Sequence, residues 1–290
     1  MAWRAALTGI RGTLARVIAR AVDRFPAIEP AFVRAGRAVQ RNYPLASLYY
    51  QAHTALSARL RASGRRFRPL TIDGVAVEVD VTDHSARLLF FQDVAYEPEV
   101  TRHLIAGLAP GDVFVDIGAN AGFFAAIGAL RVGPTGRVVA FEPHPDARRA
   151  MEELLARNRV ADRVDVIAAA IGNCVADTVP LHMAADCVLS TLVPDRSPLR
   201  ADFAFDTSID VPMTTLDAWM HRHPDLEPRI AAIKIDVEGF EDEAVAGMAA
   251  TLERATRTIV ICETNPTSRA DARLRGAGFV RQPLEVDGNG

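Results

Sequence analysis

The sequence predicts an α/β fold, in which a doubly wound and mostly parallel sheet follows a basic helical extension. Three observations support this prediction. Short apolar runs alternate with helix-length segments from residue 113 onward, a glycine-containing turn follows the first of those runs, and residues 1–70 are rich in arginine. Strands that alternate with helices form parallel sheets covered on both faces. We therefore expect an extension at residues 1–68 and an α/β domain at residues 69–290, with a hairpin lead-in at 69–95.

The composition of the 290-residue chain is that of a globular protein, with 49% hydrophobic and 24% charged residues. This composition excludes a wholly disordered chain. No apolar run approaches the roughly 18 residues of a transmembrane helix, so we do not expect a bilayer-spanning protein. Cys174, Cys187 and Cys262 form no CxxC pair. Their spacing argues against a disulfide scaffold or a cysteine-ligated zinc site and favours a reducing, cytoplasmic compartment.

The first 70 residues carry much of the positive charge. They hold thirteen arginines and two acidic residues, a charge of +11, which leaves −14 for the rest of a chain whose net charge is −3. Apolar residues recur at spacings of three and four between Trp3 and Phe25, which predicts a helix that Pro26 ends. Its apolar stripe consists of Trp3, Leu7, Ile10, Leu14, Val17, Ala21 and Phe25. Two more helices are predicted at about Pro30–Arg41 and Leu45–Arg61.

The basic helices admit three interpretations. In the first, they pack on the α/β domain with the apolar stripe buried and the arginines solvated. In the second, they bind an anionic membrane surface and make the protein peripheral there, because each cation near such a surface contributes roughly 1 kcal/mol. The third, nucleic-acid binding, is disfavoured by the acidic remainder of the chain and by the lack of a recognisable reading motif. The stretch does not match a secretory signal, because no continuous apolar core precedes a small-residue cleavage site.

The α/β domain is expected to begin with a hairpin over Leu70–Val81, where valines alternate after the turn residues Asp73 and Gly74. Strands and helices follow in alternation. The predicted strands are Val113–Ile117, Arg137–Phe141, Val164–Ala168, Ile230–Ile235 and Thr258–Cys262, and the predicted helices are Gly122–Arg131, Pro145–Arg159 and Glu241–Thr251.

The residues that follow these strands are the candidate ligand contacts, because ligands of doubly wound sheets lie beyond the carboxyl ends of the strands. The strand Val113–Ile117 leads into the turn that contains Gly118, Asn120 and Gly122. Gly118 permits a tight turn, Asn120 is predicted to cap the next helix, and Gly122 lets the backbone approach a ligand. Glu142 follows the next strand, where a carboxylate can accept hydrogen bonds from both hydroxyls of a ribose, as in Rossmann-like dinucleotide folds.

Two phosphate-binding motifs are absent from the sequence. The turn after the first strand is not GxGxxG, which disfavours a pyrophosphate-binding dehydrogenase, and no GxxxxGK[ST] cradle is present. We therefore expect a ligand with an adenosine-like ribose and no phosphates.

Four sequence segments carry a family resemblance. They are Asp-Ile-Gly-Ala-Asn-Ala-Gly-Phe at 116–123, Phe-Glu-Pro at 141–143, Pro-Met-Thr-Thr-Leu-Asp at 212–217 and Ile-Lys-Ile-Asp-Val-Glu-Gly-Phe-Glu at 233–241. These segments look like those of the FkbM-type methyltransferases, and the lead-in at 96–99 and 110–112 fits as well. The resemblance covers about Tyr96 to Pro266 and has no counterpart in the basic extension. It implies a class I S-adenosylmethionine-dependent enzyme of a family that mostly O-methylates sugars, glycolipids and polyketide-type hydroxyls.

The resemblance also implies roles for the residues after the first strands. Asp116 and Gly118 would hold the methionine end of S-adenosylmethionine through a water molecule or the backbone. Glu142 would hold its ribose, and the segment around Val164–Ala168 would flank the adenine. The acceptor is expected to be a small molecule, a sugar or a glycolipid. The alternatives are N-methylation of a small molecule or a protein, and a non-catalytic, membrane-associated protein that retains the fold.

Asp236 and Glu238 are the candidate catalytic residues, because they follow the strand Ile230–Ile235 at the expected ligand edge. One carboxylate can take the proton of an acceptor hydroxyl, or the two can anchor a divalent cation such as magnesium that lowers the hydroxyl pKa. The structural alternative is a cluster that caps the next helix together with Glu241 and Asp242.

Three further residues and one longer stretch have less specific predictions. Lys234 either pairs with these acids or is solvated as an outward-facing residue of the strand. Glu263 follows the strand Thr258–Cys262 and also lies at the ligand edge. His144 is expected in an exposed loop rather than in a catalytic role. Residues Val179–Pro212 lack a strong period, which predicts an irregular stretch that is either an acceptor-binding insertion or a small excursion of the sheet.

Overall fold

The structure is a computed structural model, and its description covers residues 2–184, 190–197, 204–264 and 267–284, with side chains from residue 10 onward. The chain forms two compact units. The helical unit consists of Met1–Thr71 and Glu78–Pro98, and the α/β unit consists of Ile72–Val77 and Glu99–Gly290. The chain therefore passes between the units more than once, and the domain boundary that we expect near residue 68 stays a prediction.

The helical unit contains the three predicted helices and one that the sequence did not indicate. They are α1 (Ala2–Arg24), α2 (Glu29–Val39), α3 (Tyr43–Ser63) and α4 (His84–Gln92). Pro26 follows α1 as predicted and opens a short 3-10 turn, because proline has no N–H with which to continue a helix. Among the described helices of the chain, none is both long and apolar enough to cross a membrane.

The apolar stripe of α1 is not the face that the helix buries. Its buried residues are Ala15, Ala19 and Val22, and α1 packs against α3. The stripe residues Ile10, Leu14, Val17 and Phe25 are instead 63%, 45%, 56% and 60% exposed. The interpretation in which this stripe is buried is therefore wrong for these four residues, because small side chains allow the closer approach of α3 on the other side of α1. Trp3 and Leu7 lie outside the described side chains.

The helical unit has a core of aromatic rings around His53. The imidazole stacks on Phe91 at 5.3 Å, and Tyr49 donates a hydrogen bond to the Phe91 carbonyl oxygen at 3.0 Å. The side chain of Gln92 hydrogen-bonds His53 Nε2 at 2.6 Å. Burial lowers the pKa of His53 to about 3, so its ring is neutral in the folded protein.

In the described part of the α/β unit, the strands from β3 onward follow the hairpin β1 (Phe67–Ile72) and β2 (Val75–Asp80). They are β3 (Val113–Ile117), β4 (Arg137–Phe141), β5 (Val164–Ile167), β6 (Ala170–Ile171), β7 (Ala176–Met183), β8 (Ser190–Thr191), β9 (Thr207–Thr214), β10 (Ile230–Ile235) and β11 (Ile259–Cys262). The helices of this unit are α5 (Pro98–Gly107), α6 (Phe123–Val132), α7 (Pro145–Arg157), α8 (Leu216–His221), α9 (Glu241–Ala246), α10 (Ala249–Arg254) and α11 (Arg269–Gly276). The predicted hairpin is confirmed, and Asp73 and Gly74 both have positive φ at its turn.

A five-stranded parallel sheet forms the centre of the α/β unit, in the order β11-β10-β3-β4-β5. The chain runs from β3 outward through β4 and β5, and later returns to the other side of β3 as β10 and β11. The order therefore reverses between β3 and β10, which is the place where doubly wound sheets bind ligands. This arrangement confirms the predicted fold class.

Helices cover both faces of this sheet. On one face, Ile117, Phe141 and Ile235 belong to a buried cluster that includes residues of α8 to α11, and Trp219 meets the Phe141 ring edge-on at 5.7 Å. On the other face, Phe114 packs against α6, where a Cβ added to Gly128 would lie 2.5 Å from its ring. Each large side chain buried in this way contributes about 1.5–3 kcal/mol.

Two parts of the α/β unit differ from the prediction. The stretch Val179–Pro212, expected to be irregular, contains most of β7 and β9, which pair antiparallel in a second sheet of order β6-β9-β7-β8; its residues 185–189 and 198–203 lie outside the described part. The helix predicted at Glu241–Thr251 is two helices, α9 and α10. The helix is interrupted at Gly247, where an added Cβ would lie 1.9 Å from the Gly172 carbonyl oxygen.

Candidate functional site

Backbone hydrogen bonds hold four loops together at the carboxyl edge of the parallel sheet. Gly118 and Ala119 donate to the Phe141 carbonyl oxygen at 2.9 and 3.1 Å. Asp236 donates to the Ile117 carbonyl oxygen at 3.0 Å, and Glu263 donates to that of Ile235 at 3.2 Å. The polar residues after β3, β4, β10 and β11 are thereby brought to one edge, as predicted.

Gly118 lies in close contact with the loop that follows β10. Its φ is +80°, and a Cβ at this position would lie 1.8 Å from the carbonyl oxygen of Asp236. Both its backbone conformation and its surroundings therefore require glycine. The turn after β3 consequently lies directly against the residue that follows β10.

Asn120 and Gly122 do not act as the sequence suggested. Asn120 was predicted to cap α6 with its side chain, but the N-cap residue is Gly122 and no side chain caps the helix. Asn120 is exposed, has φ +50°, and points its backbone N–H at Glu142. A Cβ at Gly122 would lie 2.5 Å from Met151 Cγ, so this glycine is explained by the packing of α6 against α7. A contact of either residue with a ligand stays a prediction.

Glu142 is the most buried carboxylate at the strand ends after Asp116, with 5% of its surface exposed. Its Oε2 accepts a hydrogen bond from the Asn120 N–H at 2.8 Å, and its Oε1 accepts one from the His144 N–H at 2.7 Å. Burial raises the pKa of Glu142 to about 7, although these two bonds act in the opposite direction. A carboxylate oxygen has two lone pairs, so each oxygen keeps one for a further donor.

His144 is buried, which corrects the expectation of an exposed loop residue. Its Nδ1 accepts a hydrogen bond from the Asp146 N–H at 3.1 Å and so caps the start of α7. Burial lowers the pKa of the imidazole. The ring therefore serves the local structure as a neutral acceptor.

Asp116 and Lys234 are buried neighbours in the sheet. They are paired in register on β3 and β10, so their side chains project from the same face. Asp116 has no exposed surface, and Lys234 is 4% exposed with its Nζ 4.7 Å from the centre of the Phe124 ring. The expectation of a solvated lysine is therefore wrong. Contact of the Asp116 carboxylate with a ligand would have to pass through a water molecule or the adjacent backbone.

Lys234 forms an ion pair with Asp236, in which Nζ lies 2.7 Å from Oδ2. The two residues are separated by one position along the chain and so share a face of the strand. Asp236 is partly exposed at the sheet edge. The ion pair fixes the position of one oxygen of a carboxylate that is otherwise open to a ligand.

Glu238 lies in the turn after Asp236, with φ +53°. Its backbone carbonyl accepts a hydrogen bond from Thr191 Oγ1 at 2.8 Å. Burial raises the pKa of Glu238 to about 8, and the negative charges of Asp236, Glu263 and Glu241 act in the same direction. The side chain therefore holds its proton with an affinity matched to neutral or slightly alkaline conditions.

The capping alternative applies to the acids that come next in the chain. Glu241 Oε1 accepts hydrogen bonds from the N–H groups of Val237 and Gly239, at 3.2 and 3.1 Å. Asp242 Oδ1 accepts one from the Ala270 N–H at 2.5 Å. These two residues stabilise the loop and the packing of α11, while Asp236 and Glu238 form no such cap in the described structure. Among the described residues, no group of three or more His, Cys, Asp or Glu side chains is arranged to hold a metal ion.

Residues 190–197 cover the turn that contains Glu238. Besides the bond from Thr191, Arg196 Nη2 donates to Glu243 Oε1 at 3.0 Å. A Cβ at Gly239 would lie 2.9 Å from the Arg196 carbonyl oxygen. Sequence reasoning singled out this part of the chain for its irregularity, but no local pattern indicated its contact with the candidate catalytic turn.

Comparisons with known proteins identify the family of the chain. A model of the FkbM methyltransferase domain matches residues 116–284. Methyltransferase sdnD of Sordaria araneosa is 28% identical over 229 residues, which cover 70% of this chain and 88% of that protein.

Solved structures are similar at a lower level. A methyltransferase FkbM from Methylobacillus flagellatus KT is 16% identical, with a TM-score of 0.35, over 81% of this chain and 48% of the other. An S-adenosylmethionine-dependent O-methyltransferase from Thermotoga maritima is 13% identical, with a TM-score of 0.33, over 72% of this chain and 60% of the other. Because the family model matches more than half of the chain, this protein belongs to the FkbM methyltransferases and is a Rossmann-like, S-adenosylmethionine-dependent methyltransferase.

Proposed function

We propose that this enzyme O-methylates a hydroxyl group of a small-molecule acceptor from the sugars, glycolipids or polyketide-type compounds. The observation that carries the proposal is the direct contact between Gly118 and the Asp236 carbonyl oxygen. It brings the turn expected to bind the methyl donor against the turn that holds two candidate catalytic carboxylates. Alignment of donor and acceptor at such a junction lowers a displacement barrier by about 7–11 kcal/mol.

The residues at the sheet edge fit S-adenosylmethionine. Glu142 has one lone pair left on each carboxylate oxygen, which suits the two hydroxyls of a ribose. Asp116 and Gly118 would hold the methionine end, and the backbone from Asn120 to Gly122 would border the donor. When bound, the donor would supply a methyl group on a sulfonium. The acceptor oxygen would bond to the methyl carbon in line as the C–S bond breaks, and the demethylated donor would leave as a neutral thioether.

Glu238 is the proposed proton acceptor. A general base works best when its pKa lies near the operating pH, and the pKa of Glu238 is raised to about 8 by burial and by its acidic neighbours. Asp236 would orient the acceptor, because Lys234 occupies one of its oxygens and the other can accept a hydrogen bond from the hydroxyl. Residues 190–197, which cover the same turn, would contribute to acceptor selection.

In a second version of this proposal, a divalent cation such as magnesium binds at the sheet edge and activates the acceptor hydroxyl. Asp236 and Glu238 would be its protein ligands, and the cation would lower the hydroxyl pKa in place of a general base. Chelator treatment separates the two versions, because only the metal version loses turnover and recovers it when magnesium is added back.

The proposal is tested with a panel of acceptors and isotopically labelled donor. Methyl glycosides, glycolipids, hydroxylated macrolides and peptides are each incubated with the protein, and the products are analysed by mass spectrometry and by the NMR shift of the new methyl group. We expect an O-methyl signal from one of the first three classes. An N-methyl signal, or transfer to peptides alone, would overturn the assignment to a hydroxyl acceptor.

A further inference from the structure

We infer that the exposed apolar side of α1 docks on the surface of an anionic lipid bilayer. The docking face consists of Ile10, Leu14, Val17 and Phe25, each of which is about half exposed or more. The helix already packs inside the helical unit through Ala15, Ala19 and Val22, on its opposite side. Contiguous apolar side chains that a folded unit leaves in solvent mark an interaction surface.

A row of arginines lies along one border of this docking face. Arg16, Arg20 and Arg24 follow one another at intervals of four residues, so they share one side of α1. At 3.6 residues per turn, this row falls between the apolar residues and Asp23 around the helix. Val17 and Arg20 are three positions apart, so the apolar residues and the arginines are neighbours on the helix surface. All three arginines are exposed. An apolar strip bordered by exposed arginines is the pattern of helices that lie in the interface of a bilayer.

Acidic residues of the helical unit pair with arginines that lie outside α1. Asp23 forms ion pairs with Arg59 and Arg65, and Glu29 forms one with Arg68 at 2.6 Å. Asp80 pairs with Arg66 at 3.0 Å, and Asp93 pairs with Arg37 at 3.4 Å. None of the ion pairs described in this unit involves the arginines of α1. Their charge is therefore available to an anionic surface.

A lipid surface fits this face better than the other two kinds of partner. A symmetric contact between two copies of the chain would place the same patch against itself, so the rows of Arg16, Arg20 and Arg24 would approach each other. Nucleic acid would use the arginines but would leave the aliphatic side chains of Ile10 and Leu14 without a matching apolar surface. Anionic headgroups over an acyl boundary match both components.

The expected effects follow from the chemistry of the two components. Each arginine near an anionic leaflet changes the partition coefficient about fivefold, which corresponds to roughly 1 kcal/mol. The charge component falls as salt rises, because the Debye length shortens to about 3 Å at 1 M. Loss of two aliphatic side chains that become buried in the bilayer lowers partitioning about tenfold or more.

The test is co-sedimentation of the full chain with phosphatidylcholine vesicles that contain or lack phosphatidylserine. The variants are Leu14→Ser with Val17→Ser, and Arg20→Gln with Arg24→Gln. The matched controls are Val175→Ser and Arg149→Gln, which change exposed side chains in the α/β unit. Circular dichroism and calorimetric binding of S-adenosylmethionine report whether each variant is folded, independently of vesicle binding.

We expect the wild-type chain and both controls to bind vesicles that contain phosphatidylserine, and salt to weaken this binding. Each α1 double variant should bind about tenfold or more weakly while keeping its circular dichroism spectrum. No binding at low salt, or equal binding to vesicles without phosphatidylserine, would overturn the inference. A dimer in sedimentation velocity that the Leu14→Ser and Val17→Ser pair dissociates would also overturn it, by assigning the face to a second copy.

Discussion

At the scale of single residues, burial raises the pKa values of two carboxyl groups at the sheet edge, Glu142 and Glu238, for which we propose different roles. Glu142 accepts hydrogen bonds from two backbone N–H groups and so stabilises the loops around it. It is also the proposed contact of the donor ribose. Glu238 lies in a left-handed turn, and its pKa is raised by burial and by three neighbouring acids. The first suits binding of hydroxyls, and the second suits acceptance of a proton.

Replacement of Glu142 by alanine should weaken donor binding by about 1.5–3 kcal/mol, the contribution of hydrogen bonds to a charged group. The structure also predicts an effect on folding. The N–H groups of Asn120 and His144 lose their acceptor. The His144 N–H is buried, and an unsatisfied buried group costs about 1–3 kcal/mol. Calorimetry and urea unfolding measure the two effects, with the exposed Glu152→Ala as control. An unchanged dissociation constant for the donor would exclude the ribose assignment.

Replacement of Glu238 by glutamine should lower turnover by about 10²–10⁴, the usual range for acid–base catalysis. Wild-type turnover should rise with pH up to about 8, because Glu238 accepts a proton only when ionised, and the variant should lose this dependence. Its pKa is raised from 4.5, so the stability that the protonated side chain gives the folded state is lost as pH rises through about 8. The variant should then be the more stable protein in alkaline solution. A pH profile that matches that of the exposed control Glu253→Gln would contradict the assignment.

Lys234 is expected to act as a positioning residue for Asp236. Lys234→Met should destabilise the protein by about 1.5–3 kcal/mol, because it removes a charged hydrogen bond to the partly exposed carboxylate of Asp236. The positive charge of Lys234 also lowers the pKa of Glu238, so the pH profile of turnover should move to higher pH in this variant. Lys234→Arg should restore the profile. A loss of stability without any movement of the profile would reduce Lys234 to a purely structural role.

Some of these residues could be predicted from their position and others could not. Glu142 and Asp236 follow apolar strands directly, and the carboxyl ends of parallel strands meet at one edge. The burial of Lys234 was missed because alternation along a strand was taken to mean one solvated face. In a sheet covered by helices on both sides, both faces are interior, so a charged residue in the strand must find a partner.

At the scale of elements, the sequence is most informative where a strand is buried on all sides. The predicted bounds of β3, β4 and β10 match the structure at both ends, because short, predominantly apolar runs bounded by turn residues have few alternatives. The prediction fails where a distant contact decides. The predicted helix at Glu241–Thr251 is interrupted at Gly247, where the close Gly172 carbonyl oxygen leaves no room for a Cβ. In β7 and β9, exposed polar residues and prolines obscure the period of two.

The contact of the turn after β3 with the residue after β10 predicts a specific sensitivity at Gly118. Gly118→Ala should abolish donor binding, because its Cβ would lie 1.8 Å from a backbone oxygen that cannot move independently. Gly111→Ala is the matched control, because its φ is +91° and a Cβ there would lie 3.6 Å from Thr135 Oγ1, an ordinary contact distance. It should cost only the left-handed backbone strain of about 1–2 kcal/mol. Calorimetry of both variants measures the difference, and equal donor binding would show that the two turns do not constrain each other.

At the scale of the whole molecule, the charge division of the chain corresponds to two units with different chemistry. The helical unit contains fourteen of the arginines, thirteen of them before residue 70, and leaves an apolar side of α1 in solvent. The α/β unit carries the family match and the acidic sheet edge. Sequence reasoning separated the basic from the acidic part. It did not foresee that residues 78–98 return to the helical unit, because the burial of Phe91 beside His53 depends on tertiary contacts.

The central claim is that the carboxyl edge of the parallel sheet binds S-adenosylmethionine through Glu142 while Glu238 acts on the acceptor. Calorimetric titration of the full chain with S-adenosylmethionine, its demethylated product and NAD tests this most directly, in the wild type and in the Glu142→Ala and Glu238→Gln variants. We predict that both sulfur nucleotides bind and NAD does not, that Glu142→Ala weakens binding, and that Glu238→Gln leaves it unchanged. Absence of binding by either sulfur nucleotide, or its loss in Glu238→Gln, would contradict the account.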